Sequence, residues 1–189
     1  MKNKITYHLG NAFMLLSLAG FIWIFYPVIS VYLWPPHIMP VKAIARQKDP
    51  VLTIPKIHAQ AKIVEQVDPR NETEYMQALK KGVAQAKGTS LPGQHGTSFI
   101  FAHSSGAPWD MTYMNTIFLR LGELNRGDTI IIERNGITYH YRVREKKEVQ
   151  PTDVSYLSQN KRTQLILQTC TPIGTSLRRL LVFADPSKK

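Results

Sequence analysis

Residues 163 to 184, TQLILQTCTPIGTSLRRLLVFA, hold the stretch whose residue types and spacing could do covalent chemistry. Cys170 is the only cysteine in 189 residues. It follows an apolar run, Leu165 to Leu167, and precedes a short turn, Thr171-Pro172-Ile173-Gly174. Arg178 and Arg179 then open a second apolar run, Leu180 to Ala184. β-favouring runs bounded by turn residues predict strand, loop, strand, with the thiol where the first strand ends. A guanidinium at the start of the next strand can be brought back beside that thiol. Successive strand residues face opposite sides, so only one of Arg178 and Arg179 can point at Cys170. The thiolate is the reactive form of a group whose ordinary pKa is about 8.5, and a nearby cation raises its fraction. The pattern suits a cysteine nucleophile; a buried structural cysteine is the plain alternative.

Such a nucleophile needs a group to move protons, and histidine is suited to that work near neutral pH. His8 and His37 flank an apolar N-terminal stretch, and His58 follows an expected edge strand. His140 lies on the strand ITYHYRV, opposite the face of Ile137, Tyr139, Tyr141 and Val143, and is expected in solvent. His103 ends the hydrophobic strand SFIFAHSS, while His95 sits in a Gly-rich loop eight residues earlier. The residues alone leave these two open.

The elements that must position these groups follow from hydropathy and turn chemistry. From Ile5 to Val41 there is no Asp, Glu, Lys or Arg, and residues 12–34 are almost wholly apolar. That length crosses a bilayer core of roughly 30 Å, tolerates Pro27, and carries Trp23, Tyr26, Tyr32 and Trp34 as interface residues. It predicts an uncleaved anchor: residues 1–11 before it, a four-proline linker over 35–50, and a folded domain over 51–189. VLTIPKI and AKIVEQV read as the first two strands, with Pro55 placing the first at an edge or bulge. Asn71 to Gln85 reads as a helix capped by Asn71, with Tyr75, Met76, Leu79 and Val83 at helical spacing. Residues 108–124 read as a loop with one or two helical turns, and residues 128–149 as a hairpin turning at Asn135-Gly136. The count is seven or eight strands with little helix, a mainly β domain.

Net charge is +11, of which residues beyond 41 carry +9. Scattered Lys and Arg without a helix-turn-helix, zinc or RNP-like pattern predict a solvated basic surface and no nucleic-acid partner. A single cysteine excludes an internal disulfide framework.

The stretch around Cys170 resembles the sortases. Their TLxTC motif, followed nine residues later by an arginine that opens a strand, is similar to Leu165-to-Cys170 with Arg179. The family's Thr-Leu pair is not matched letter for letter, since this chain has Leu167-Gln168-Thr169-Cys170. CTPIGTSLRRLLV resembles the corresponding stretch in several sortase classes, and FIFAHSSG is similar to the segment bearing the family's histidine. The resemblance covers about residues 50 to 185 and implies an eight-stranded β-barrel with a few short helices after one transmembrane helix. It implies a membrane-anchored cysteine transpeptidase that cuts an LPxTG-like sorting signal and joins the acyl fragment to an amine. Residue by residue it selects Cys170 as nucleophile, His103 over His95, and Arg179 over Arg178. Thr169 beside them is assigned to substrate or oxyanion contacts.

The resemblance also sets the orientation, which charge leaves ambiguous: N-terminus cytoplasmic, domain outside, one membrane pass. The implied partners are the sorting-signal peptide of surface proteins and an amine acceptor such as a cell-wall precursor. The membrane is the third, through the helix. No cofactor is expected, and no loop carboxylates match a calcium site, so no metal is expected either. The chain ends at DPSKK without a second apolar segment, and Val51 follows Asp49-Pro50 where a lid motif would have an aromatic. Anchoring of surface proteins is therefore favoured over pilin polymerisation. The L,D-transpeptidases also pair Cys with His, but their Ser-His-Gly-Cys motif is absent. A non-enzymatic membrane-tethered β-domain binding wall polymers leaves FIFAHSS, LQTC and RRLLV together unexplained.

Overall fold

The computed structural model describes residues 2–34, 38, 49–103, 116–157 and 162–188. Most of the expected linker, the first part of the 108–124 segment and residues 158–161 lie outside them. Helix α1 runs Lys2–Leu33, through Pro27, so the residues before position 12 are helical as well. Its stretch Thr6–Tyr26 is long and apolar enough to cross a membrane and is not buried by the domain. Near its C-terminal end the Arg120 guanidinium lies 5.2 Å from the centre of the Tyr32 ring, a cation–π contact with the domain.

Eight strands form a closed barrel in the order β1-β2-β3-β4-β7-β8-β6-β5. They are β1 (Val51–Ile54), β2 (Ala59–Val67), β3 (Val83–Ala86), β4 (Thr97–Phe101), β5 (Thr129–Arg134), β6 (Ile137–Val149), β7 (Gln164–Thr171) and β8 (Arg178–Ser187). The β5–β6 hairpin turns at Asn135 (φ 52°) and Gly136 (φ 76°), the positive-φ pair that matches the twist of adjoining strands. β1 pairs with both β2 and β5, so it is not an edge strand. Pro55 is accommodated because the strand stops at Ile54 and a 3-10 turn, Pro55–Ile57, begins there.

Helix α2 is shorter than its spacing predicts. It spans Glu72–Leu79, with Asn71 accepting from the Glu74 N–H and the Glu74 carboxylate accepting from Asp68 N–H. The predicted helix to Gln85 breaks at Lys80-Lys81-Gly82, and Val83 belongs to β3. Tertiary pairing decides this: Val83 and Ala84 lie in parallel register with Ile63 and Val64. Gly82 admits that approach, because a Cβ there would overlap the carbonyl oxygen of Lys62.

Following the registers around the ring identifies the inner face. Leu52 pairs with Ile132, Ile130 with Tyr141, Val143 with Ala184, and Ala184 with Leu165, each at most 4% exposed. All five residues of β4 are buried, so that strand is covered on both sides. Its outward Phe99 and Phe101 are covered by the β6–β7 connector and α2. Phe99 stacks on Tyr156 at 5.4 Å, and Phe101 meets Tyr75 edge-on at 6.4 Å.

Gly82→Ala tests the tight parallel junction. The added methyl can be taken up only by separating β2 from β3, and overpacking of this kind costs about 1 to 3 kcal/mol. Thermal unfolding of the full chain in detergent should show a clearly lowered midpoint.

Candidate active site

The site is assembled by two strand pairings. β4 and β7 run parallel with Thr97 opposite Gln164 and Phe101 opposite Gln168. The ladder continues one step past β4, where Ala102 N–H donates to the Gln168 carbonyl at 3.1 Å. Carrying the register one residue further brings His103 level with Cys170. On the other side of β7, Cys170 is the direct antiparallel partner of Arg179. Directly opposed residues share a face of the sheet, with Cβ atoms about 5 Å apart. Histidine, cysteine and arginine thus form a row across β4, β7 and β8. All three are half-buried and line one cleft of about 280 Å³.

Arg178 pairs with Thr171 and faces the other way, its guanidinium 4.0 Å from Glu148. Arg179 has its Nη1 turned toward the β7–β8 loop, donating to the carbonyls of Ser176 (3.1 Å) and Arg178 (3.4 Å). Those bonds leave the rest of its fork of donors for a bound group. The loop between the two strands has a cis Thr171–Pro172 bond, and Thr175 closes it by donating to the Pro172 carbonyl.

Thr169 occupies the inner row. It is 3% exposed, pairs with Leu180, and its Oγ1 donates to the Ala102 carbonyl at 3.2 Å. Its hydroxyl therefore fixes the backbone immediately before His103. His95 lies in the loop before β4, is not among the cleft residues, and offers its carbonyl to the Ser90 hydroxyl. His140 is half-buried on β6 beside Ile131, away from this cleft.

Two polar residues of the cleft, Gln168 and Tyr156, carry no signal of their role in the motifs above. Gln168 sits on the face of Cys170, two residues earlier, and accepts a 3.0 Å hydrogen bond on Oε1 from the Tyr156 hydroxyl. Tyr156 comes from the connector after β6 and is 6% exposed. Burial pushes its phenol pKa up, against a smaller downward pull from Arg179, so it is a neutral donor at physiological pH. Alternation from Cys170 could have flagged Gln168. Nothing local marks Tyr156, whose role depends on where the connector lies. Among the described residues no cluster of His, Cys, Asp and Glu could hold a metal ion.

The fold and site define a closed β-barrel whose outer face carries a single thiol between an imidazole and a guanidinium. A family model described as the Sortase domain matches residues 52–187. The chain is 29% identical over 141 residues to Sortase D of Bacillus subtilis (strain 168), covering 72% of this chain and 63% of that protein's length. Among solved structures it is similar to sortase C-1 from Actinomyces oris, at 27% identity, TM-score 0.63 and 77% of each chain. It is also similar to a lid mutant of Sortase A from Corynebacterium diphtheriae, at 28% identity and TM-score 0.61, covering 76% of this chain and 72% of that one. The chain belongs to the sortase family.

Thr169→Val keeps the shape and removes the bond to Ala102. Losing it from a buried acceptor should lower stability by about 1 to 2 kcal/mol, read by thermal unfolding.

Proposed function

We propose that the chain is a thiol-dependent transpeptidase that cleaves an LPxTG-like sorting signal and transfers the acyl fragment to an amine. The reading is carried by the row of His103, Cys170 and Arg179 at one cleft. Cys170 Sγ attacks the threonine carbonyl; the S–C bond forms as the C–N bond to glycine breaks. His103 gives its proton to the departing amine. An acceptor amine then attacks the thioester carbon, His103 takes its proton, and the thiolate leaves. Arg179 donates to the oxyanion in both halves and holds the substrate backbone. Thr169, expected at substrate or oxyanion contacts, is buried on the inner face and acts instead as a positioning residue that holds the Ala102 carbonyl.

The cell-surface setting belongs to the same proposal. Residues 12–34 anchor the chain with its N-terminus in the cytoplasm, and residues 51–189 form the catalytic domain outside, beyond the 35–50 linker. Its substrates are surface proteins bearing the signal, and its acceptor is a cell-wall precursor amine. Pilin polymerisation is the second reading. It is favoured by likeness to the pilus-related Sortase C of Group B Streptococcus, at 28% identity and TM-score 0.61, covering 82% of this chain and 76% of that one.

Full-length protein in detergent, given fluorogenic LPxTG-type peptides with and without an amine, should cleave between threonine and glycine and yield an amine-linked product by mass. Cys170→Ala should abolish both. A lysine side chain preferred over a glycyl amine as acceptor would favour the pilin reading, while neither turnover nor a thioester adduct would move the assignment to a binding domain. The strand register separates the two arginines: Arg179→Ala should cut kcat/KM by about a hundredfold or more, as for loss of an oxyanion donor. Arg178→Ala, on the opposite face, should stay within about twofold.

A further inference from the structure

We propose that Gln168, oriented by Tyr156, determines specificity by donating a hydrogen bond to the substrate residue immediately before the attacked threonine. The ligand class is an extended peptide whose side chain at that position carries an acceptor oxygen. The inference rests on the peptide-cleaving reading above.

Gln168 shares the face of Cys170 at two-residue spacing, about 7 Å along the strand. In an extended peptide the side-chain head of the residue before the threonine reaches about as far from the attacked carbonyl. The Gln168 Oε1 is occupied by the Tyr156 hydroxyl, whereas its amide nitrogen has no hydrogen-bond partner among the described residues. Burial keeps the Tyr156 phenol protonated, so its hydroxyl is available to donate to Gln168. Tyr156 is itself held by stacking on Phe99.

The amide therefore presents two N–H donors to a cleft whose other walls, Tyr75, Leu79, Phe99, Phe101, Ala102 and Val154, are largely apolar. A bound peptide strips water from those donors. One that supplies an acceptor restores a hydrogen bond, and one that supplies a methyl group leaves a desolvated donor unpaired. A site built to hydrogen-bond discriminates strongly against the analogue that cannot, so the pair reads polarity where an all-apolar cleft would read size alone. Selection favours an acceptor over a donor because the side-chain nitrogen offers two donors unpartnered among the described residues, while one of the two lone pairs of its oxygen is already taken by Tyr156.

The test measures peptide binding to the full chain in detergent, with Cys170→Ala to prevent turnover. The probes are fluorescent LPxTG-type peptides with Asn, Leu or Lys at the residue before threonine. Asn should bind about tenfold more tightly than its near-isostere Leu. Adding Gln168→Leu should bring that ratio near one, and Gln168→Glu, an acceptor only, should favour Lys over Asn. Tyr156→Phe keeps the ring stack and frees the amide, so its ratio should fall between. Equal binding of Asn and Leu peptides, or an Asn preference unchanged by Gln168→Leu, overturns the inference. Turnover by the Cys170 protein with such indifference would leave the transpeptidase reading standing. The expected binding pattern without turnover by the Cys170 protein would overturn the transpeptidase reading and leave Gln168 a peptide-binding residue only.

Discussion

The parallel ladder between β4 and β7 joins segments 67 residues apart, and the remaining architecture is arranged around keeping it closed. Parallel strands cannot be linked by a tight turn, and they persist where both faces are covered. One face of this pair looks into the barrel through Ile100, Leu165 and Leu167, each fully buried. The other is covered by Tyr156 and the α2 side chains against Phe99 and Phe101. At the exit end the Ala102 N–H and Thr169 hydroxyl bonds extend the pairing past the last residue of β4. Without them His103 would follow a free strand end. With them its position is set by the same register that sets Cys170.

The second pairing, β7 with β8, adds the charge. A guanidinium directly across a ladder from a thiol is held by backbone bonds and needs no ion pair to keep it near. The face chosen for each arginine has opposite consequences. Arg178 approaches the Glu148 carboxylate on the far side, while Arg179 bonds to the Ser176 and Arg178 carbonyls and keeps donors for the cleft. A buried carboxylate next to Arg179 would have satisfied its fork and reduced the field at the thiol.

Much of this was legible in the sequence, and what was missed follows one physical line. The Asn135-Gly136 hairpin, the β7–β8 unit around Cys170 and the strand ending before His103 are local patterns, and local patterns are readable. From spacing alone Val83 reads as a helical core position, because Tyr75, Met76 and Leu79 precede it at helical spacing. Its parallel pairing with β2 is non-local and overrode that period. Pro55 read as an edge signal for the same reason, since nothing near it announces that β5 closes the barrel beside β1. Tyr156 is the clearest case. A tyrosine in a connector says nothing until the connector is seen to cross the sheet and bring its hydroxyl to Gln168.

The two halves of the site therefore rest on different kinds of bond. The row of His103, Cys170 and Arg179 is positioned by the backbone hydrogen bonds of β4, β7 and β8, with one side-chain bond added by the Thr169 hydroxyl to the Ala102 carbonyl. The walls around it are side chains, several of them delivered by elements outside those strands: Tyr75 and Leu79 from α2, Val154 and Tyr156 from the connector. A substitution in a wall changes what fills the cleft while leaving the ladder, and so the row of three side chains, in place. A substitution that disturbs the ladder, as at Thr169 behind the row, shifts imidazole relative to thiol whatever the walls contain. Strand register and cleft lining are thus separable in this domain, and Gln168 is where they meet. Its backbone carbonyl accepts the bond that continues the ladder toward His103, and its side chain faces the cleft under the hand of Tyr156.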